Sequence, residues 1–334
     1  MNFDLFSPGY SRRFGNIILA QTETQYTKSL GEKNVITTGI EYLNRDINMD
    51  VSIDTCFVNK KTHLLSFYLQ DEITLLPFNF VLGGRIDNHS VYGMEYNPKI
   101  SAMWNISDNT RLRLSGGRAF KSPTIRQLYV FFKHGNWWNE PNENLKPEKL
   151  WSYSVGLEQV LNNLHANLSI FRNDINDIIS QVETNKTINN VKVKEWNNFQ
   201  KACTQGIEFS INAFVFKTLT TNLAYTYLDA KNSDTDKRLP FTSEHTGSAG
   251  VNYKIHSCKL SFHWNTNYYS GCFSDEANTK KITDYSISNF KFVKGITDKL
   301  DFSFEVDNIF DSNYGEPNKL WLGRTIFGKL SFNL

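Results

Sequence analysis

The sequence predicts an all-β chain, a transmembrane antiparallel β-barrel. Three observations carry this: about fifteen stretches alternate apolar and polar residues, many run ten residues or more, and their connections switch strictly between short and long. The alternation is clearest where Leu300, Phe302, Phe304 and Val306 interleave with Asp301, Ser303, Glu305 and Asp307. A strict period of two puts one set on each face of a strand. Strands of soluble domains run about 5–6 residues, whereas roughly 9–11 tilted residues cross a bilayer. No stretch has a convincing helical period that would cover the apolar faces of a soluble sandwich. Lipid outside and water or a plug inside fit better.

Taken in order, strands are expected at 14–27 and 33–46, then at 62–76 and 78–88 around Pro77. The pair 94–106 and 109–120 turns at Ser107 and Asp108, and the first of these aligns Ile100, Ala102, Trp104 and Ile106. Next come 150–161 and 163–182 around Asn162 and Asn163, then 194–215 and 218–229 around Phe216 and Lys217, with Ile207, Phe209, Ile211 and Ala213 in phase. Ser257 separates 243–256 from 258–270, where Leu260, Phe262 and Trp264 oppose Ser261, His263 and Asn265. Gly295, Ile296 and Thr297 separate 282–294 from 298–310. The last strand, 323–334, aligns Ile326, Gly328, Leu330, Phe332 and Leu334. The tight turns use residues that tolerate turn geometry.

Long connections are expected near 46–61, 121–149, 183–193, 230–242, 271–281 and 311–322. Short turns on one rim and long loops on the other are the layout of outer-membrane barrels, with the short turns facing the periplasm. A final strand ending at the last residue suits closure against a first strand. Fifteen strands is an odd number where bacterial single-chain barrels are even, so further strands are expected upstream. Residues 1–20 hold Arg12 and Arg13 and only a brief apolar patch, 17–20, too short for the roughly 7–15-residue apolar core of an export signal. An upstream part is therefore expected to be missing, through truncation, frameshift or a misplaced start.

The 334 residues read as one domain, since the alternation shows no break. Mean hydropathy is mildly negative and no apolar run nears the length of a membrane helix, but alternation averages hydropathy away and leaves a barrel open. Lys and Arg number 36 against 34 Asp and Glu, a balance without the basic stripe that nucleic-acid binding needs. The four cysteines, Cys56, Cys203, Cys258 and Cys272, have no CxxC spacing and no zinc-ligand His pair nearby. A Cys258–Cys272 disulfide would have to join opposite ends of one strand, beyond a disulfide's reach, so free thiols are expected. No GxSxG elbow, HExxH helix or convincing Ser-His-Asp set is present, and an enzyme is not expected. His63, His89, His165, His245, His256 and His263 are scattered among strands and turns.

Five motifs, in order, resemble boxes of the C-terminal part of TonB-dependent outer-membrane receptors. Arg118-Ala119-Phe120-Lys121-Ser122-Pro123-Thr124-Ile125-Arg126-Gln127-Leu128-Tyr129 is similar to a FRAPT-type box, with Lys-Ser where Arg-Ala is usual. Asn144-Leu145-Lys146-Pro147-Glu148-Lys149 is similar to an NPNLKPE box in which Glu143 replaces the proline. Asn198 with Gly206-Ile207-Glu208 resembles the N…GIE strand, Asn308-Ile309-Phe310-Asp311-Ser312-Asn313-Tyr314 the NLFDxxY box, and Gly323-Arg324-Thr325 the final GR strand. Each box also has a structural reading: turn formers, a girdle aromatic and a loop-breaking proline.

The resemblance implies a 22-stranded barrel around an N-terminal plug, importing scarce bulky nutrients with energy from the TonB complex. This chain would supply about fifteen of those strands and neither plug nor TonB-contacting segment. The cargo implied is a chelated metal, a ferric siderophore first and haem or cobalamin behind it, with no resident cofactor. The implied partners are outer-membrane lipid, the TonB complex through the missing plug region, and the small metal chelate; a monomer is expected. The contrasting readings are a passive plugless pore and a nonfunctional receptor fragment.

The connection 121–149 is richest in recognition chemistry: Arg126, Tyr129, Lys133, His134, Trp137 and Trp138. Aromatic faces and cations bind planar or anionic ligands by stacking, cation–π contact and charge-assisted hydrogen bonds. For the tryptophans the competing reading is an interfacial anchor or loop packing. His134 lies between two boxes, where haem receptors of the family place an iron-ligating histidine, a normal axial ligand; a lone surface histidine is the alternative. Trp196 at a strand end, Tyr268 and Tyr269 near an outer rim, and Arg172 and Lys201 facing a lumen are further candidates.

Overall fold

The computed structural model describes residues 2–5, 13–51, 56–314 and 322–332. In chain order the strands are β1 (Asn2–Leu5), β2 (Arg13–Leu30), β3 (Asn34–Val51), β4 (Cys56–Leu75), β5 (Phe78–His89), β6 (Gly93–Ser107), β7 (Thr110–Lys121), β8 (Phe132–His134), β9 (Trp137–Glu140), β10 (Glu148–Leu161), β11 (Leu164–Ile188), β12 (Val191–Phe216), β13 (Leu219–Asn232), β14 (His245–Ile255), β15 (Leu260–Tyr269), β16 (Cys272–Phe273), β17 (Lys281–Ile282), β18 (Tyr285–Gly295), β19 (Leu300–Asp307) and β20 (Thr325–Phe332). One α-helix, α1 (Ile125–Tyr129), interrupts the strands among the described residues. Five strands, β1, β8, β9, β16 and β17, have four residues or fewer, and the other fifteen correspond one for one to the expected set. No helix among the described residues is long and apolar enough to cross a membrane.

The chain divides into two compact units. The first comprises Met1–Ala102, Ser115–Tyr153 and Asn173–Ala202. Here β2, β3, β4 and β5 form an antiparallel meander, in register from Arg13 opposite Val51 to Leu75 opposite Phe78. The period of two does what it should: Ile40, Tyr42, Leu65, Phe67, Leu69, Leu82 and Ile86 are exposed on one face. On the other, Asp87 is 3% exposed and accepts from Ser66 Oγ at 2.6 Å, Arg85 Nε at 2.7 Å and Asn97 Nδ2 at 2.9 Å. Arg85 Nη2 also reaches Glu41 at 2.7 Å. A carboxylate so buried persists because it is paired and hydrogen-bonded. Gly39 leaves the space that the Tyr68 ring fills, letting Tyr68 donate to Glu23 at 2.8 Å.

The second unit comprises Met103–Leu114, Ser154–Arg172 and Cys203–Leu334. Here β13, β14, β15, β18, β19 and β20 pair successively and antiparallel. Register puts Phe262 opposite Phe292, Phe292 opposite Phe304, and Phe302 opposite Leu330 on one face. The opposite face carries the His263 to Asn252 contact at 2.6 Å and the Lys291 to Glu305 ion pair at 2.8 Å. One face is mainly apolar and the other mainly polar, with Phe327 on the polar face and Lys294 on the apolar one as exceptions.

Several expected connections are corrected. The loop at 183–193 is instead strand: β11 and β12 run 25 and 26 residues and meet at Asn189 and Asn190, with φ of 50° and 61°. Asparagine tolerates that left-handed pair, which matches the twist of a two-residue hairpin. Residues 90–92 likewise join β5 to β6 briefly, so short and long connections do not strictly alternate. The loop at 46–61 is largely strand, since β3 reaches Val51 and β4 begins at Cys56. In both places ladder hydrogen bonds continue where side-chain polarity suggested a loop. Residues 52–55, 315–321 and 333–334, part of residues 1–20, and the expected place of Leu334 lie outside the described residues. Cys203, Cys258 and Cys272 are thiols outside any disulfide; the side chain of Cys56 lies outside the described residues.

The connection after β15 is ordered by carboxylates. Asp275 accepts from Thr279 Oγ1 at 2.6 Å and from the backbone N–H groups of Lys280 at 2.8 Å and Thr279 at 3.0 Å. The Thr279 hydroxyl first, then these N–H groups, hold the Asp275 carboxyl below its ordinary range. A depressed folded pKa stabilises above the unfolded value, about 3.9 for Asp, and that stabilisation is lost as pH falls through the folded value. Hydrogen exchange at the Thr279 and Lys280 amides, corrected for intrinsic rate, should therefore be slow at neutral pH and lose protection below about pH 4. Asp275→Asn should abolish the pH dependence; an unchanged profile would refute the assignment.

Candidate functional site

The connection 121–149 is a folded strap in the first unit. Lys121 ends β7, and Thr124 caps α1: Gln127 N donates to Thr124 Oγ1 at 3.3 Å while Thr124 N donates to Gln127 Oε1 at 2.8 Å. This reciprocal capping box satisfies donors that a helix start leaves orphaned. Phe120 meets the Tyr92 ring edge-on at 6.0 Å, and Pro123 is buried. The strap then forms the hairpin β8–β9, with His134 opposite Trp137 and Lys133 opposite Trp138. Strand β9 also runs parallel to β12, setting Lys192 opposite Trp137, Val193 opposite Trp138 and Lys194 opposite Asn139.

Two apolar clusters hold the strap. Val58, Val130 and Phe132 form one, with Ile125 and Tyr129 against it; Leu128, Leu145 and Ile179 form the other, with Tyr129 and Trp196 against it. Tyr129 thus bridges the clusters, and Lys60 Nζ lies 4.3 Å from its ring centre. Trp138 is 6% exposed and stacks on Phe131 at 5.2 Å. Its burial supports the loop-packing reading. Arg126, Lys133 and His134 are exposed, and Trp137 is half-buried.

Cations stand over rings throughout. Arg126 lies 3.6 Å from the Phe132 ring centre, Lys194 4.5 Å from Trp137 and Lys133 5.8 Å from Trp138. His134 sits 5.4 Å from Trp137. Lys192 and Lys194 share one carboxylate, Glu183, at 3.0 Å and 3.9 Å. Two lysines on one glutamate leave this edge net positive beside an indole face. Sequence reading missed Lys60, Lys192 and Lys194, which lie far along the chain from 121–149. For Lys192 and Lys194 the one signal is their spacing with Trp196 on alternate positions, which puts all three on one strand face; for Lys60 there is none.

The remaining boxes hold backbone. Glu148 Oε1 accepts from Ile179 N at 3.0 Å and Glu148 Oε2 from Lys121 at 3.0 Å; Asn144 N donates to Asn142 Oδ1 at 2.9 Å, and Pro147 is buried. Asn198 binds the main chain of Lys146 and Asp177. In the second unit, a Cβ on Gly206 would run into the Tyr227 carbonyl oxygen, while Glu208 is exposed. Asn308, 3% exposed with φ 49°, donates from Nδ2 to Ser312 O at 3.0 Å and accepts at Oδ1 from Ser312 N at 2.9 Å. Asp311 accepts from Arg324 N at 2.8 Å with Gly323 against it, Tyr314 donates to Leu322 O at 3.1 Å, and Phe310 is 71% exposed.

Arg172 and Lys201 do not face the polar side. Arg172 is in phase with exposed Leu168 and Ile170 and donates to Gln205 at 3.4 Å, itself in phase with exposed Ile207. Lys201 shares that phase on β12. Polarity alone had suggested the lumen, but strand phase overrides it. No group of three or more metal-ligating side chains occurs among the described residues.

Residues 2–309 match the family described as TonB dependent receptor-like, beta-barrel. Over 276 residues the chain is 26% identical to the ferrienterobactin receptor of Escherichia coli, covering 75% of this chain and 37% of that protein. Over 249 residues it is 27% identical to the vitamin B12 transporter BtuB of Photobacterium profundum, covering 74% of this chain and 39% of that protein. The crystal structure of the siderophore receptor PirA from Pseudomonas aeruginosa superposes with a TM-score of 0.80 at 20% identity, covering 96% of this chain and 58% of that one. At that identity the likeness is one of fold. The chain spans less than half the length of these curated relatives.

Proposed function

This chain belongs to the TonB-dependent receptor-like β-barrel family, and from that premise we propose that it is the barrel portion of an outer-membrane receptor taking up a chelated metal. A ferric siderophore is the cargo favoured, ahead of haem and cobalamin. The observation that carries this choice is the net-positive edge of Lys192 and Lys194 around Trp137, with the His134 ring beside it, which suits an anionic chelate with aromatic rings. Lys133 over Trp138 and Arg126 over Phe132 add cation–ring pairs elsewhere on the same strap, and Tyr129 and Trp138 pack the strap from within. The exposed apolar faces meet membrane lipid, energy comes from the TonB complex through the plug region of such receptors, and the receptor acts as a monomer. The metal chelate is cargo; transport needs no covalent step.

A ferric catecholate chelate should quench tryptophan fluorescence of the purified protein. Lys194→Glu should weaken its binding about tenfold, since a desolvated cation–π or charge-assisted contact contributes about 1–2 kcal/mol. Absence of binding by the unsubstituted protein would sink the siderophore reading. Haem is the second reading because His134 is exposed at the end of β8, next to the turn into β9. If haem is the cargo, His134→Ala should sharply lower haem affinity; an unchanged haem titration rejects ligation.

A further inference from the structure

The parallel pairing of β9 with β12 spans only four residues, and a ladder so short does not define its own register. A slip of one residue would exchange the buried Trp138 with Trp137 and take Trp137 from under Lys194. Something outside the ladder must fix it. Asn198 Oδ1 accepts from Lys146 N at 2.7 Å, and Nδ2 donates to Lys146 O at 2.9 Å and to Asp177 O at 2.7 Å. Both main-chain groups of Lys146 are thereby held by one amide, as an opposing strand residue would hold them. The next residue is Pro147, which has no N–H to extend a ladder. Asp177, with φ 58°, is a left-handed kink within β11 whose carbonyl is taken up by the same amide.

Glu148 completes the arrangement on the other side of Pro147. Its Oε1 accepts from Ile179 N at 3.0 Å, beyond the kink, and its Oε2 accepts from Lys121 at 3.0 Å, where the strap leaves β7. Asn142 adds a bond from Nδ2 to Trp196 O at 2.8 Å, and its N–H donates to Gln127 O at 2.9 Å. The strap is thus fastened to β11 and β12 by side-chain rungs where main-chain rungs are interrupted by a proline and a kink.

We propose that Asn198 and Glu148 are positioning residues for ligand capture: they lock the register of β9 on β12 and so place Trp137 beneath Lys194 beside His134. Neither touches the proposed ligand edge; they act through Lys146, Ile179 and the strap. The ligand consequence rests on the siderophore reading above, whereas the register lock stands independently of any ligand.

Hydrogen exchange and chelate binding on the purified protein separate the two. Asn198→Ala should leave amide protection of β2 through β5 intact, while residues 137–140 and 145–148 lose protection. Asn198→Asp keeps the acceptor for Lys146 N–H and loses both donors; it should show the same pattern more weakly and serves if the alanine variant does not fold. With a ferric catecholate chelate, Asn198→Ala should weaken binding about tenfold through lost preorganisation, and Lys194→Glu should then add nothing further. Retained protection over 137–140 in both variants overturns the proposal. Lost protection with a fully additive Lys194→Glu effect also overturns the role in capture. If the unsubstituted protein binds no chelate, the siderophore reading fails while exchange still decides the register lock.

Discussion

Ile100→Arg is expected to destabilise the folded protein in a lipid bilayer by about 2–4 kcal/mol, the cost of a cation at the midplane of a lipid-facing strand. Ser101→Arg, one residue along, should cost far less. Ile100 lies midway along β6, 55% exposed and in phase with exposed Tyr96, Trp104 and Ile106; Ser101 points to the opposite face. The contrast is decisive because in water an exposed isoleucine replaced by arginine changes stability little. Only a surrounding hydrocarbon makes the exposed face the intolerant one. Denaturant unfolding of both variants in lipid vesicles, followed by tryptophan fluorescence, makes the comparison. Equal costs at the two positions would remove the lipid-facing assignment of that face.

Gly206→Ala should be the most damaging single methyl group in the second unit. An added Cβ would collide with the Tyr227 carbonyl oxygen and come within 3.0 Å of the Phe171 ring. The ring can turn, but the carbonyl belongs to the backbone of β13 and cannot withdraw without breaking the sheet. Overpacking of this kind costs about 1–3 kcal/mol, and more where backbone must move. Gly247→Ala is the control: its Cβ would meet only the Ala224 carbonyl oxygen at an ordinary 3.8 Å, and a change within about 0.5 kcal/mol is expected. Equal midpoints of urea unfolding for the two variants would show that Gly206 is not held by this contact.

These two sites differ in how far they could be read from the chain. The phase of Ile100 with Ala102, Trp104 and Ile106 is visible in the sequence, because the two-residue period is a local property of extended backbone. That Gly206 belongs to a family box was visible too, but its reason is a carbonyl twenty-one residues away on another strand. The same holds for Asn198, whose partners Lys146 and Asp177 lie on separate segments. In the candidate site, Arg126, Lys133, His134 and Trp137 are near one another along the chain, and the fold gives them separate ring partners: Phe132 for Arg126, Trp138 for Lys133, and His134 beside Trp137. Lys192 and Lys194 were not legible as part of the site, since the parallel pairing of β9 on β12 brings them there. Arg172 and Lys201 face away from the polar side because strand phase, not charge, sets the face of a side chain.

The all-β class, the fifteen long strands among the described residues, the apolar and polar faces and the family were legible in the chain, because alternation, turn chemistry and motif spacing are encoded within a few residues of each other. That 183–193 is a hairpin, that Trp138 packs while Trp137 is partly open, and which cations stand over which rings emerge only in the folded chain. Those outcomes depend on register between strands far apart in the chain. Register is set by steric fit and by rungs such as those of Asn198 and Glu148, and no local pattern specifies it.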